Sequence, residues 1–236
     1  MKSIKSFLSV AALVIAGVAA KAQTADDVIA KHLDAIGGKD KLNQITSVVY
    51  TGSVTVMGND GPSTITLVPG KGYKSVTSIN GQDLVQTITD KGGWMINPFQ
   101  GGTDAQAMPD DQYKGSETQL FVDPFLDYAA HGSKVELKGT EGGAYKIVLT
   151  NKDGIATTYY IDTTTYYISK AVRTMNMMGN DTELTISFSD YKKTDFGTTS
   201  AYSMEMAFGS QFSMTSTYKT ITVNGTVDPK IFDMPK

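Results

Sequence analysis

Residues Ser116–Gly132, SETQLFVDPFLDYAAHG, decide how the chain is read. Leu120, Phe121, Phe125, Leu126 and Ala129 recur at spacings near three and four, which places them on one side of a helix. Asp123-Pro124 interrupts them with a start signal, a capping carboxylate followed by a proline whose missing N–H costs nothing in a first turn. Gly132 supplies a stop. The spacing therefore predicts two short helical turns or a kinked helix with a strongly apolar face. A helical insert cannot join a sheet ladder, so it must lie across a sheet face or a barrel mouth. Beneath it there is either a sheltered site or a core that it completes.

Outward from this segment, the chain reads as short strands on both sides. On the N-terminal side, Thr24–Ile36 is a helix, opened by a capping-box pair of Thr24 with Asp27 and closed by Gly37-Gly38. Its apolar face is Val28, Ile29, Leu33 and Ile36, with His32 at the edge, expected as a half-buried, hydrogen-bonded histidine. From Thr46 the period becomes two. Ser47–Met57, Ser63–Val68, Tyr73–Ile79, Asp83–Thr89 and Trp94–Ile96 form an antiparallel meander with turns at Asn59-Asp60-Gly61, Pro69-Gly70 and Asn80-Gly81. Gly101–Tyr113 is polar and reads as a mobile loop. After Gly132 the strands resume over Lys134–Lys138, Ala144–Thr150, Ile155–Ile161, Tyr166–Met177, Glu183–Tyr191, Ser200–Phe208 and Gln211–Val223.

Large residues keep to one parity in these strands: Leu184/Ile186/Phe188, Tyr202/Met204/Met206/Phe208 and Phe212/Met214/Tyr218 are examples. The other parity is mostly Thr, Ser, Lys and Asp. A sheet apolar on one side must cover that side. Two helical elements cannot cover so many strands laid flat, so the sheet must curl over itself. The expected fold is mainly β, a strongly curved antiparallel sheet of about 11 to 12 strands. The N-terminal helix and the central insert cover it, and residues 23–236 form a single domain. The inward set is rich in Met and aromatics, which suits a surface accepting chains of variable shape.

Lys2 and Lys5 precede an apolar run, Phe7–Ala20, and Ala20-Lys21-Ala22 is a small-x-small cleavage signal. Residues 1–22 are thus expected to be a secretory signal peptide cleaved near Ala22, with a periplasmic mature chain. The run is short for a membrane span, and without cysteine there is neither a lipidation site nor a disulfide. Losing Lys2, Lys5 and Lys21 with no acid takes the formal charge from −3 to −6. An acidic chain with a single arginine, Arg173, lacks the clustered basic residues that nucleic acid requires. Two histidines and no cysteine are too few for zinc chemistry, so no metal or cofactor is expected. His131 is expected at the C-terminal end of the insert, where a cation suits the helix dipole. Ser189–Lys192 and Ser216–Lys219 have the Ser-x-x-Lys spacing of serine acyl enzymes, but both lie in strand patterns, where i and i+3 face opposite sides. No catalytic residue is assigned.

The helix ending in Gly-Gly, the strand with Tyr50-Thr51-Gly52, Gly93-Trp94 with Asn97-Pro98, and Asp123-Pro124-Phe125-Leu126 form one set of features. The closing stretch adds Asp228-Pro229-Lys230-Ile231-Phe232-Asp233-Met234-Pro235. Together they resemble the LolA/LolB-like superfamily of periplasmic outer-membrane lipoprotein-sorting proteins, over nearly the whole mature chain. The resemblance implies an unclosed barrel whose apolar hollow holds acyl chains. It also implies a lid-latching arginine on an early strand, and the early strands here contain none. The expected function is a non-enzymatic periplasmic carrier or chaperone of lipid or acylated protein, with other envelope proteins as further partners. The expected lid and cavity residues are Trp94, Ile96, Leu120, Phe121, Phe125, Leu126, Tyr159, Phe188, Met204 and Met206. The competing expectation is an envelope interaction module with a filled core and no ligand.

Overall fold

Thr24 caps the first helix as its spacing to Asp27 predicts. Its hydroxyl accepts from the Asp27 N–H at 3.1 Å, and the Asp27 carboxylate accepts from the Thr24 N–H at 3.0 Å. The computed structural model describes residues 23–100, 102–177 and 179–235, the Gln100 side chain excepted. The leader expected at residues 1–22 lies outside the described residues. Helix α1, Ala25–Ala35, buries Val28, Ile29, His32 and Leu33. Gly37 and Gly38, both at positive φ, turn the chain into the short α2, Lys39–Leu42.

The strands are β1 Val48–Val56, β2 Asn59–Val68, β3 Gly72–Ile79, β4 Gln82–Thr89, β5 Gly92–Ile96 and β6 Gln106–Ala107, followed by β7 Lys134–Glu141, β8 Ala144–Thr150, β9 Ala156–Asp162, β10 Ile168–Met177, β11 Asn180–Lys193, β12 Thr199–Phe208 and β13 Phe212–Val223. All belong to one antiparallel sheet, ordered β6-β5-β4-β3-β2-β1-β13-β12-β11-β10-β9-β8-β7. Two meanders are thus sewn together where β1 pairs β13, Val48 opposite Val223. The strands β6 and β7 are the free edges, so the barrel stays open, as expected. The thirteenth strand, β6, is a two-residue addition against Trp94 and Met95 that strand periodicity is too short to reveal.

The seam carries a bulge between Thr51 and Gly52, where the partner of Gly52 shifts to Tyr218. A Cβ on Gly52 would sit 2.0 Å from the Thr217 carbonyl oxygen, so only glycine permits this approach. The concave face and α1 share the main core, which includes Val28, Leu33, Ile147, Leu149, Ile161 and Ile221.

Of the two forms expected for the insert, the kinked helix is absent and short turns are present, with the regular helix lying earlier in the chain. A regular helix, α3, spans Asp110–Ser116, where the polar composition predicts a loop, and a 3-10 turn follows over Glu117–Leu120. Pro109 stands at its N-cap, Asp110 and Asp111 fill the first turn, and the Lys114 ammonium meets Asp110 at 2.7 Å. From Phe121 to Gly132 the chain makes consecutive tight turns rather than a kinked helix, with Leu126 N–H on the Asp123 carbonyl and Ala130 N–H on the Asp127 carbonyl. Asp123 closes an Asx turn on Phe125 N–H at 2.9 Å, and Asp127 sits at φ 53°, which stops helical continuation. His131 therefore has no helix end to complement; it stacks on Phe121, with ring centroids 3.8 Å apart.

The Asp228–Phe232 motif is a capped 3-10 turn, Asp228 accepting from Lys230 N–H at 3.0 Å. It sets Phe232 flat over Gly72, where a Cβ would lie 2.6 Å from the ring. The Phe232 carbonyl receives the Trp94 indole N–H at 2.9 Å.

Candidate ligand-binding site

Cross-strand register assembles the inner wall. Leu184, Ile186 and Phe188 on β11 stand opposite Phe208, Met206 and Met204 on β12, and Met206 stands opposite Met214 on β13. These side chains line a cavity of about 540 Å³. That volume is within the range of small-molecule sites, about 300–1,000 Å³. Phe121, Val122, Asp123 and Pro124 roof it, and His32 of α1 and Ile36 at its C-cap close one side. Tyrosines 50, 73, 159, 191 and 218 also face it. Burial pushes all five phenols up, Tyr73 to about 12, so they stay neutral and offer hydroxyls without charge.

Of the residues expected to form the lid and cavity, Phe121, Tyr159, Phe188, Met204 and Met206 line it. The other five stand elsewhere. Lys74, Thr87 and Trp94 are register partners, as are Val76, Val85 and Ile96, whereas the cavity takes Ser75 and Gln86 from the alternate parity. Trp94 and Ile96 therefore belong to the outer face, where Lys74 Nζ lies 5.3 Å from the indole centroid. Leu120 packs in a satellite cluster with Ile88 and Met108. Phe125 and Leu126 are in the main core, Phe125 edge-on to Tyr159 at 5.0 Å and to His32 at 5.8 Å.

Polar contacts between residues far apart in the sequence fasten the roof. His32 is 1% exposed, deeper than the half-buried position expected. Its Nδ1–H donates to the Tyr166 carbonyl at 2.7 Å and its Nε2–H to the Asp123 carboxylate at 3.0 Å. A carbonyl on one ring nitrogen and a carboxylate on the other favour the doubly protonated, cationic ring. Burial opposes that charge, but the Asp123 charge and the hydrogen bonds from Asp123 and Tyr166 outweigh it and raise the His32 pKa. Tyr128 adds a bond to Asp26 of α1 at 2.6 Å, and Lys39 of α2 meets Asp127 at 2.6 Å.

The segment 110–120 is a strap between the two flanks of the open sheet. On one flank Gly70 N–H binds the Leu120 carbonyl at 2.8 Å and the Tyr113 hydroxyl binds the Thr89 carbonyl at 2.9 Å. On the other, Asn151 reaches the Lys114 carbonyl at 3.0 Å and Lys152 meets Glu117 at 2.8 Å. Arg173 of β10, which lines the cavity, donates to the Gly115 carbonyl. Its signal in the sequence was parity, since Arg173 shares the inward side with Ala171.

No family model and no curated protein matches this sequence. Solved structures do match it. A domain named for outer membrane lipoprotein sorting, from Vibrio parahaemolyticus, superposes with TM-score 0.57 at 13% identity over 88% of this chain and 95% of its own. A LolA superfamily protein from Nitrosomonas europaea gives 0.57 at 12% identity, covering 90% and 98%. A DUF1329 family protein from Desulfovibrio piger gives 0.56 at 14%, covering 87% and 97%. At these identities the likeness is one of fold, and by fold this chain is LolA-like.

Proposed function

We propose that the protein is a non-enzymatic binder of a hydrophobic molecule, an acyl chain or the lipid part of an acylated protein, carried in the cell envelope. One observation carries this reading: beside the core it shares with α1, the concave face of the sheet leaves a cavity of about 540 Å³ under the strap and the insert. Burying a chain there contributes about 0.8 kcal/mol per CH₂. The periplasmic setting rests on the leader expected at residues 1–22 and on the fold of its structural neighbours. No helix of the described residues is long and apolar enough to cross a membrane.

Native mass spectrometry of protein purified from cells without detergent tests the reading. The wild type is expected to retain lipid, and Met206→Trp, which fills the cavity from β12, to lose most of it while remaining folded. Equal lipid in both, or none in a wild type that also takes up no added chain, would leave an envelope interaction module as the better account. Phe125→Asp is the wrong variant for this purpose, because Phe125 is 1% exposed and a charge there attacks the core itself.

A further inference from the structure

The cavity has an uneven charge inventory. Its charged walls are His32, Asp123 and Arg173, and among the described residues no lysine faces it. His32 and Asp123 satisfy one another, and the second Asp123 oxygen is taken by Phe125 N–H. Arg173 has no such partner. One guanidinium nitrogen binds the Gly115 carbonyl, and no carboxylate forms an ion pair with it among the described residues. On β11 its cross-strand neighbour is Leu184, which in turn faces Phe208, so that side supplies no acceptor; on the β9 side the nearby group is the neutral Tyr159 phenol, which brings no counter-charge.

Burial works against the guanidinium charge and lowers its pKa. A charge held in an apolar hollow without a counter-ion is unfavourable unless something else supplies one. The Gln119 side-chain oxygen, in the same strap, is also buried with no hydrogen-bond partner and lines the same cavity.

We propose that the occupant of the cavity carries an anionic head, a carboxylate or a phosphate, seated on the free face of the Arg173 guanidinium. The acyl chain then runs over Ile186, Met204 and Met206. The planar fork of arginine matches both heads in a bidentate manner, and rotation of the Gln119 amide presents its NH₂ to the same group. This rests on the carrier reading and narrows it to the class of anionic single-chain amphiphiles.

Calorimetric titration of delipidated protein with oleate, 1-oleoyl-lysophosphatidate and oleyl alcohol tests it, since the three share one chain. At least one anion is expected to bind roughly ten- to a hundred-fold more tightly than the alcohol, the scale of a charge-assisted hydrogen bond. Whichever anion binds more tightly identifies the head. Arg173→Met is expected to abolish the difference, so that both anions and the alcohol bind that variant alike. The wild-type ratio decides the matter even if that variant does not fold. Equal binding of alcohol and both anions by the wild type, or a preference that survives in folded Arg173→Met, overturns the head site and leaves the carrier standing. Failure of all three to bind overturns both.

Discussion

His32 and Asp123 join α1 to the insert by a buried ion pair, and breaking it by removing one partner should cost about 3–5 kcal/mol. Asp123→Ala is therefore expected to lower the urea midpoint accordingly. The pH dependence has a definite sign. Because the His32 pKa is raised in the folded state, its contribution is complete below the ordinary histidine value of 6.5 and is lost as pH rises through the higher folded value. Thermal melts from pH 6 upward should show a decline in the wild type that His32→Gln lacks. A decline of equal size in both would remove this pair as its source. Trp94, the lone tryptophan, faces outward and is tied to Phe232. Its fluorescence maximum should stay fixed when a chain fills the cavity, and a large blue shift would contradict the assigned face.

At the scale of elements, the seam between β1 and β13 depends on a glycine. Gly52→Val would drive side-chain carbons into the Thr217 carbonyl and Tyr218 Cα, which lies 2.8 Å from a Cβ. Overpacking of this kind costs about 1–3 kcal/mol. A lower melting temperature with unchanged far-UV circular dichroism is expected, and a melt matching the wild type would show that the strands separate freely there. The insert teaches where periodicity misleads. Leu120, Phe121, Phe125 and Leu126 have helical spacing, yet they form successive turns around the Asx turn of Asp123. The regular helix forms one segment earlier, over Asp110–Ser116. There the composition is polar because one side of a strap lies in water and its anchoring is mostly through hydrogen bonds.

For the whole molecule, an open sheet with a strap across it predicts uneven local stability. Strands β11, β12, β13 and β1 have partners on both sides, whereas segment 110–120 is held by scattered bonds to two flanks. In hydrogen-exchange mass spectrometry the central strands should exchange slowest and the strap faster, and a bound chain should slow the strap most. If the strap exchanges as slowly as β13 without ligand, it is not the moving part.

What the sequence by itself determined is what depends on short-range chemistry. Thr24 with Asp27 capped a helix, turn residues delimited most strands, and one-sided apolar parity together with the scarcity of helices required a curved sheet. Tertiary structure alone decided which residues meet. The pairing of His32 with Asp123, the bond from Arg173 to Gly115, and the outward face of Trp94 and Ile96 all follow from register and from contacts across long stretches of chain. Parity sorts side chains into two sets, but which set faces the hollow is settled only when the strands pair, since a slip of one residue exchanges the two faces.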